Sequence, residues 1–218
     1  MPTFAIIIEM DFDMKLEEKS DIQKIKKELR KKMLSKSLSL KENYKNDADR
    51  RITQLLLGLP EYKKANTVFC FVGVEHEINT RSFLEQVLLD GKRLAVPLCV
   101  GKGIMEARRI FSLDELKKGY YGLYEPDKSS ELIPMDEVEF AVIPCLTADH
   151  KGNRLGHGGG FYDTLFNEYS NVPAAIICRE LMCNEVIPTE PFDHRFAITV
   201  TEDGVIRSNN YMKRRLDN

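Results

Sequence analysis

The densest chemistry in the chain lies in twelve residues, Gly152 to Asp163 (GNRLGHGGGFYD). Gly156, Gly158, Gly159 and Gly160 place four glycines in five positions, with Arg154 just before them and Asp163 just after. Glycine lacks the Cβ that disfavours left-handed backbone, so such a run lets successive amide N–H groups turn toward one point. Where a helix begins, those donors are unpaired and sit at the positive end of the helix dipole, an arrangement suited to phosphate. An arginine adds a forked, charged donor, and a carboxylate adds a hard oxygen for a cation such as Mg²⁺. The chemistry served would be handling of a phosphoryl group. Neither common nucleotide fingerprint is present: there is no G-x-x-x-x-G-K-[ST], and no G-x-G-x-x-G opens an early βαβ unit. A plain tight turn therefore stays open beside an anion cradle.

Positive charge gathers a second time upstream. Residues 24–36 hold seven Lys or Arg (Lys24, Lys26, Lys27, Arg30, Lys31, Lys32, Lys36) against one acid, Glu28. Ser20 and Asp21 are favourable N-cap types, and Ile22, Ile25, Leu29 and Met33 recur at steps of three and four, which predicts a helix with these four facing inward. Lys26 and Arg30 are four apart and share a face, where both could meet one anion. A solvated basic face fits the same pattern, and a nucleic-acid-binding module using this helix is a rival reading. The net charge of −2, from 32 basic and 34 acidic residues, gives the molecule no overall field for nucleic acid, so no such partner is expected. Five cysteines without a C-x-x-C pair indicate neither a disulfide framework nor a zinc ribbon. Cys70, Cys99, Cys145 and Cys178 end or interrupt apolar runs and read as buried thiols, while Cys183 stays open as a reactive or ligating residue. His76, His150, His157 and His194 show no metal-ligand spacing.

The elements that must position these groups read as alternating strands and helices. Apolar runs at Val68–Val72, Leu94–Leu98, Phe140–Pro144 and Ala174–Cys178 are short and bounded by turn residues, as expected of strands buried on both faces of a parallel sheet. Helices are expected near 41–58, with Ile52, Leu55 and Leu56 inward and Gly58 and Pro60 ending it, and near 80–90, 112–118 and 160–169. Met105–Phe111 reads as a mixed strand, and Phe196–Thr201 followed by Asp203-Gly204 as a late hairpin. Residues 1–14 fit an extra strand or a mobile tail equally well. At 218 residues and 43% hydrophobic content, the chain suits one domain with a sizeable core. The expectation is a single α/β domain over residues 1–218, with residues 1–20 an N-terminal extension. Its architecture is a three-layer α/β/α sandwich around a mostly parallel open sheet, with binding loops at the carboxyl ends of the strands. No run approaches the roughly 18 apolar residues of a membrane span. Ala5–Ile8 is too short, and too quickly followed by Glu9, Asp11 and Asp13, for a secretory signal. A cytoplasmic protein with no membrane partner is expected.

Taken whole, GNRLGHGGGFYD resembles the signature G-x-R-L-G-x-G-x-G-[YF]-Y-D of the 5-formyltetrahydrofolate cyclo-ligases, also called 5,10-methenyltetrahydrofolate synthetases. Upstream, Glu75-His76-Glu77-Ile78-Asn79-Thr80 resembles the family's E-x-E-I-x-T segment, and Lys26-x-x-Leu29-Arg30 its K-x-x-L-R element. Downstream, Ile187-Pro188 through Asp193 resembles I-P-x-E-x-x-D. The similarity spans residues 22–206. His157 stands where members often carry Tyr, Phe or Arg, Phe161 replaces the first of two common tyrosines, and Ala197 lacks a common second acid.

The resemblance implies ATP-dependent cyclisation of 5-formyltetrahydrofolate to 5,10-methenyltetrahydrofolate, with Mg²⁺ as cofactor and ADP and phosphate as products. It implies that Arg154 and Tyr162 act in catalysis. ATP would meet Lys26, Arg30, Arg154, Leu155, Gly156, His157, Gly158, Gly159, Gly160, Phe161 and Tyr162. The folate would meet Val72, Glu77 and the turn from His157 through Gly158, Gly159 and Gly160 to Phe161. Asp163 and Asp193 would hold the metal. A one-turn shift of the basic helix would bring Lys24 or Lys27 in place of Lys26. A monomer is expected. A sugar-phosphate isomerase or transferase on a similar sandwich is the second rival, and would not require ATP.

Overall fold

The structure, a computed structural model, describes residues 4–119 and 122–208, with side chains from residue 21 onward. In chain order the elements are α1 (Phe4–Ser39), α2 (Glu42–Gly58), α3 (Pro60–Lys64), β1 (Thr67–Cys70), α4 (Arg81–Leu89), β2 (Arg93–Gly101), β3 (Ile104–Ile110), β4 (Lys117–Lys118) and β5 (Tyr124–Glu125). There follow β6 (Leu132–Ile133), β7 (Phe140–Ile143), β8 (Thr147–Ala148), β9 (Arg154–Leu155), α5 (Phe161–Glu168), β10 (Ala174–Ile177), β11 (Ile198–Thr201) and β12 (Gly204–Arg207).

Eight of the strands form one sheet in the order β12-β11-β10-β7-β1-β2-β3-β6. The five inner strands, β11, β10, β7, β1 and β2, run parallel, and the antiparallel pairs β11/β12, β2/β3 and β3/β6 finish the two ends. The unbroken apolar runs follow from cover on both faces, because successive side chains of a strand point opposite ways. On one face Val68, Cys70, Leu94, Val96, Phe140 and Val142 pack against Ile52 and Leu56 of α2, Tyr62 of α3 and Phe83, Leu84 and Val87 of α4. On the other, Phe69, Ala95, Ala141, Ile143 and Ile176 pack against Met33 of α1 and Phe166 of α5. The expected three-layer sandwich is thus present, with two separate cores on the two faces of the sheet.

Several expected elements differ. Of residues 1–14, read as a strand or tail, 1–3 lie outside the described residues and 4–14 belong to α1, which runs unbroken past Ser20 and Asp21, so no helix begins there. Ile25 faces solvent and Lys26 is buried in its place, because the inward stripe of α1 continues as Lys26, Met33 and Ser37. Gly58 does not take a left-handed cap; Pro60 ends α2 by opening α3. The helix expected at 112–118 is one 3₁₀ turn, Leu113–Glu115, held by a Ser112/Glu115 capping box, after which Lys117–Lys118 pairs as a strand with Tyr124–Glu125.

The topology fixes where loops can meet. From β1 the chain leaves to one side through β2, and β7 returns on the other, so the carboxyl ends of β1 and β7 flank a crevice of the kind where open α/β sheets bind ligands. Among the described residues, no helix is long and apolar enough to cross a membrane.

Candidate active site

The loop after β1, residues 71–80, folds back on itself. The Gly73 N–H donates to Thr80 Oγ1 (3.0 Å), whose hydroxyl donates to Phe71 O (2.9 Å). A Cβ on Gly73 would lie 2.0 Å from Ile78 O, so no larger residue fits that crossing. The fold presents Glu77 at the crevice with its carboxylate nearly buried, Oε2 accepting from the Val74 N–H (3.2 Å) and Oε1 lying 3.3 Å from His157 Nε2. Three long-range contacts anchor this loop. Arg179, just after β10, makes a buried bidentate pair with Asp49 of α2 (2.7 and 2.8 Å) and donates to Glu77 O (2.8 Å). The Asn79 N–H also reaches Asp49, at 2.8 Å. From α1, the Ser37 hydroxyl donates to His76 O.

The glycine-rich segment is partly a strand. Arg154 and Leu155 form β9 against β8, and Leu155 is buried with its carbonyl accepting from the Leu146 N–H (2.8 Å), so its side chain faces the core and only its backbone is near the turn. Beyond it, Gly158 and Gly160 take left-handed backbone, at φ of 97° and 72°, and Gly160 is the residue before α5. Those two dihedrals are the reason for glycine there. The β2/β3 hairpin tip covers the turn, since a Cβ on Gly103 would come within 3.5 Å of Gly159 O.

Arg154 is buried between aromatic faces, its guanidinium carbon 5.6 Å from the Tyr162 centroid and 5.4 Å from that of Phe196. One nitrogen, Nη2, donates to Asp163 Oδ1 (2.9 Å), but the buried Nε has no hydrogen-bond partner among the described residues. An unsatisfied buried donor costs about 1–3 kcal/mol, more when charged, and an arriving anion would relieve it. Burial pushes the Tyr162 phenol well above its usual range, so it stays protonated at neutral pH.

On α1, Arg30 Nε donates to Gly156 O (2.9 Å) and its guanidinium lies against Gly158. Lys26 is the inward lysine, while Lys24 and Lys27 are exposed, which fixes the register of the basic helix. Its ammonium does not touch the glycine turn. It donates to Glu190 Oε2 (2.8 Å) and to Asp193 Oδ2, both also nearly buried. Asp163 accepts from the His194 N–H (3.1 Å) as well as from Arg154, so the Lys26 and Arg154 ion pairs are joined through the Asp193-His194 step. Asp163 and Asp193 each accept through one carboxylate oxygen, Oδ1 and Oδ2 respectively, which leaves the other as a hard-oxygen donor of the kind that suits Mg²⁺. Phe161 is half-buried, packed on the Met33 side of the core. Val72 packs on the opposite core with α2 and α4. Three functional candidates escape sequence reasoning: Glu190, Arg179 and Asp49. Only Glu190 left a trace, as the acid within the Ile187–Asp193 segment.

A parallel sheet whose carboxyl edge brings a glycine turn beside the buried Arg154 defines an α/β fold with donors placed where an anionic group could sit. Within that class the chain can be placed further, for residues 22–202 match the model of the 5-formyltetrahydrofolate cyclo-ligase family. The chain belongs to that family, a family of ligases. It is 30% identical over 173 residues to the probable 5-formyltetrahydrofolate cyclo-ligase of Schizosaccharomyces pombe, covering 72% of this chain and 85% of that protein. The 5-formyltetrahydrofolate cyclo-ligase of Haemophilus influenzae is 27% identical over 176 residues, with 78% and 92% covered. Among solved structures, the 5,10-methenyltetrahydrofolate synthetase of Aquifex aeolicus superposes with a TM-score of 0.76 at 29% identity, covering 85% of this chain and 93% of that one.

Proposed function

We propose that the protein cyclises 5-formyltetrahydrofolate to 5,10-methenyltetrahydrofolate at the expense of ATP, within one domain acting as a monomer in the cytoplasm. The observation that carries this reading is the buried, unpaired Nε of Arg154 beside the left-handed glycine turn. The formamide oxygen is a poor leaving group. Transfer of the γ-phosphoryl group of ATP to that oxygen makes it a good one; folate N10 then attacks the formyl carbon, and phosphate departs with the former formyl oxygen, taking up the proton that N10 loses. Such a transfer depends on positioning and charge neutralisation. Arg154, in a dry aromatic slot, meets the charge developing on the transferring group. The backbone from Gly156 through Gly160 and Arg30 hold the phosphates, with His157, Phe161 and the protonated Tyr162 against the nucleotide or the folate. Glu77, held in place by the Arg179–Asp49 pair, accepts hydrogen bonds from the pterin-side N–H groups, near Val72. Asp163 and Asp193 would hold Mg²⁺, which supplies charge neutralisation on the ATP phosphates. Lys26 turns from its two acids toward ATP when nucleotide and metal enter.

The route is tested with substrate carrying ¹⁸O in the formyl group. The label is expected in inorganic phosphate; label retained in water or folate would overturn formyl-oxygen phosphorylation.

Two further outcomes follow. Lys26→Ala and Arg30→Ala are each expected to raise the KM for ATP about tenfold or more, as a charge-assisted hydrogen bond contributes roughly 1.5–3 kcal/mol. Lys31→Ala, about 100° around α1 from Arg30, should change it little. Steady-state kinetics on the three variants checks this, and equal effects at all three would point to a diffuse basic surface. Asp163→Asn keeps the shape but removes the charge, so it should raise the Mg²⁺ concentration for half-maximal rate at saturating ATP more than it raises the KM for folate. An unchanged Mg²⁺ titration would leave Asp163 as an acceptor for Arg154 and the His194 N–H, with no part in holding the metal.

A further inference from the structure

The loop after β1 and the glycine turn meet through the side chains of His76, Glu77 and His157, of which His76 has no part in the proposed reaction. His76 Nε2 and His157 Nε2 are 3.3 Å apart, and His157 Nε2 is 3.3 Å from Glu77 Oε1. The three ligand atoms all lie within 4.8 Å of one another. In a tetrahedral zinc centre with Zn–N and Zn–O bonds near 2.0–2.1 Å, neighbouring ligand atoms are about 3.3–3.4 Å apart. Both of the short separations match that edge. Two imidazole nitrogens with one carboxylate suit a borderline cation such as Zn²⁺ better than Mg²⁺, which favours six oxygens and retained water.

We propose that His76, Glu77 and His157 form a Zn²⁺ site that fastens the β1 loop to the glycine turn, and that bound zinc withholds the Glu77 carboxylate from the folate. The imidazole of His157 is half exposed, which leaves the fourth tetrahedral position open to water. A second group, His150, Glu180 and Cys183, could compete for metal, but its thiol is held protonated by hydrogen bonding with Cys178 and by burial. The binding half of the proposal stands on geometry alone; the inhibitory half rests on the role given to Glu77 above.

The test uses the full-length protein without substrates, titrated with Co²⁺ as a spectroscopic stand-in and with Zn²⁺ against a chromogenic chelator. One equivalent is expected to bind with tetrahedral Co²⁺ absorption and no thiolate-to-cobalt band, and Cys183→Ala should leave that binding unchanged. His76→Ala and His157→Phe should each weaken Zn²⁺ binding about 100-fold or more, since even loss of an outer-shell partner typically costs 10–100-fold. His76→Gln provides a milder change should alanine disturb the loop, and circular dichroism verifies each fold. Affinity retained in folded His76 and His157 variants, or a thiolate band lost in Cys183→Ala, would overturn the site. In turnover, zinc should raise the KM for 5-formyltetrahydrofolate in the wild type and not in His76→Ala, whose zinc-free rate should be unchanged. Bound zinc without an effect on KM overturns the inhibitory half. A protein that binds zinc at these residues yet lacks ligase activity supports the site and overturns the functional reading instead.

Discussion

Replacing Arg154 with alanine is expected to lower kcat about 100- to 1000-fold, the usual cost of removing one donor aimed at charge that develops in the transition state. The side chain sits in a slot walled by Tyr162 and Phe196, with one donor on Asp163 and Nε unsatisfied. In such a dry setting its charge acts in a lower effective dielectric than water, which strengthens its grip on a phosphoryl oxygen. The glycine turn cannot compensate, because backbone amides carry only partial charge. Arg154→Lys should recover a small part of the rate, since an ammonium keeps the charge but loses the fork. The measurement is kcat at saturating ATP and folate, with circular dichroism to verify the fold. A folded alanine variant turning over like the wild type would remove Arg154 from the chemistry.

The second large effect concerns stability and lies outside the glycine turn. Arg179→Met is expected to cost about 3–5 kcal/mol, because it leaves Asp49 buried without its bidentate partner. Urea denaturation measures this directly. The same variant should raise the KM for folate, since Arg179 also holds the Glu77 carbonyl. Replacing both members, Arg179→Met with Asp49→Leu, should recover most of the stability, as an apolar pair in place of a buried ion pair is often neutral or better. It should not recover the KM, because the anchors on Glu77 and Asn79 are gone. A single variant as stable as the wild type would show that the pair does not support the loop.

What the sequence discloses and what it hides divide along contact range. The parallel strands β1, β2, β7 and β10 were legible because each is a short apolar run, and α5 because its glycine turn and its helical spacing adjoin, whereas the two-residue strands β4, β5, β6, β8 and β9 carry no such run. The Lys26–Arg30 face was legible since residues four apart share a side of any helix. Its detail was not: the hydrophobic period suggested Ile25 inward, whereas two acids from the far end of the chain draw Lys26 inward and leave Ile25 to solvent. Arg179 and Asp49 are 130 positions apart, and each alone reads as an ordinary polar residue. The meeting of His76 with His157, 81 positions apart, depends on how two loops cross at one sheet edge, which no local spacing records. The 112–118 segment misled because its 3₁₀ turn carries a helix-type capping box, while strand pairing by the two lysines ends the turn.

The central claim is most directly tested by the absorbance of 5,10-methenyltetrahydrofolate formed from 5-formyltetrahydrofolate by the purified protein, with ATP and Mg²⁺ supplied together, singly or not at all. Product is expected only when both are present, with one ADP and one phosphate released per folate cyclised. Folate cyclised without ATP, or ATP hydrolysed with no methenyl product, would contradict it.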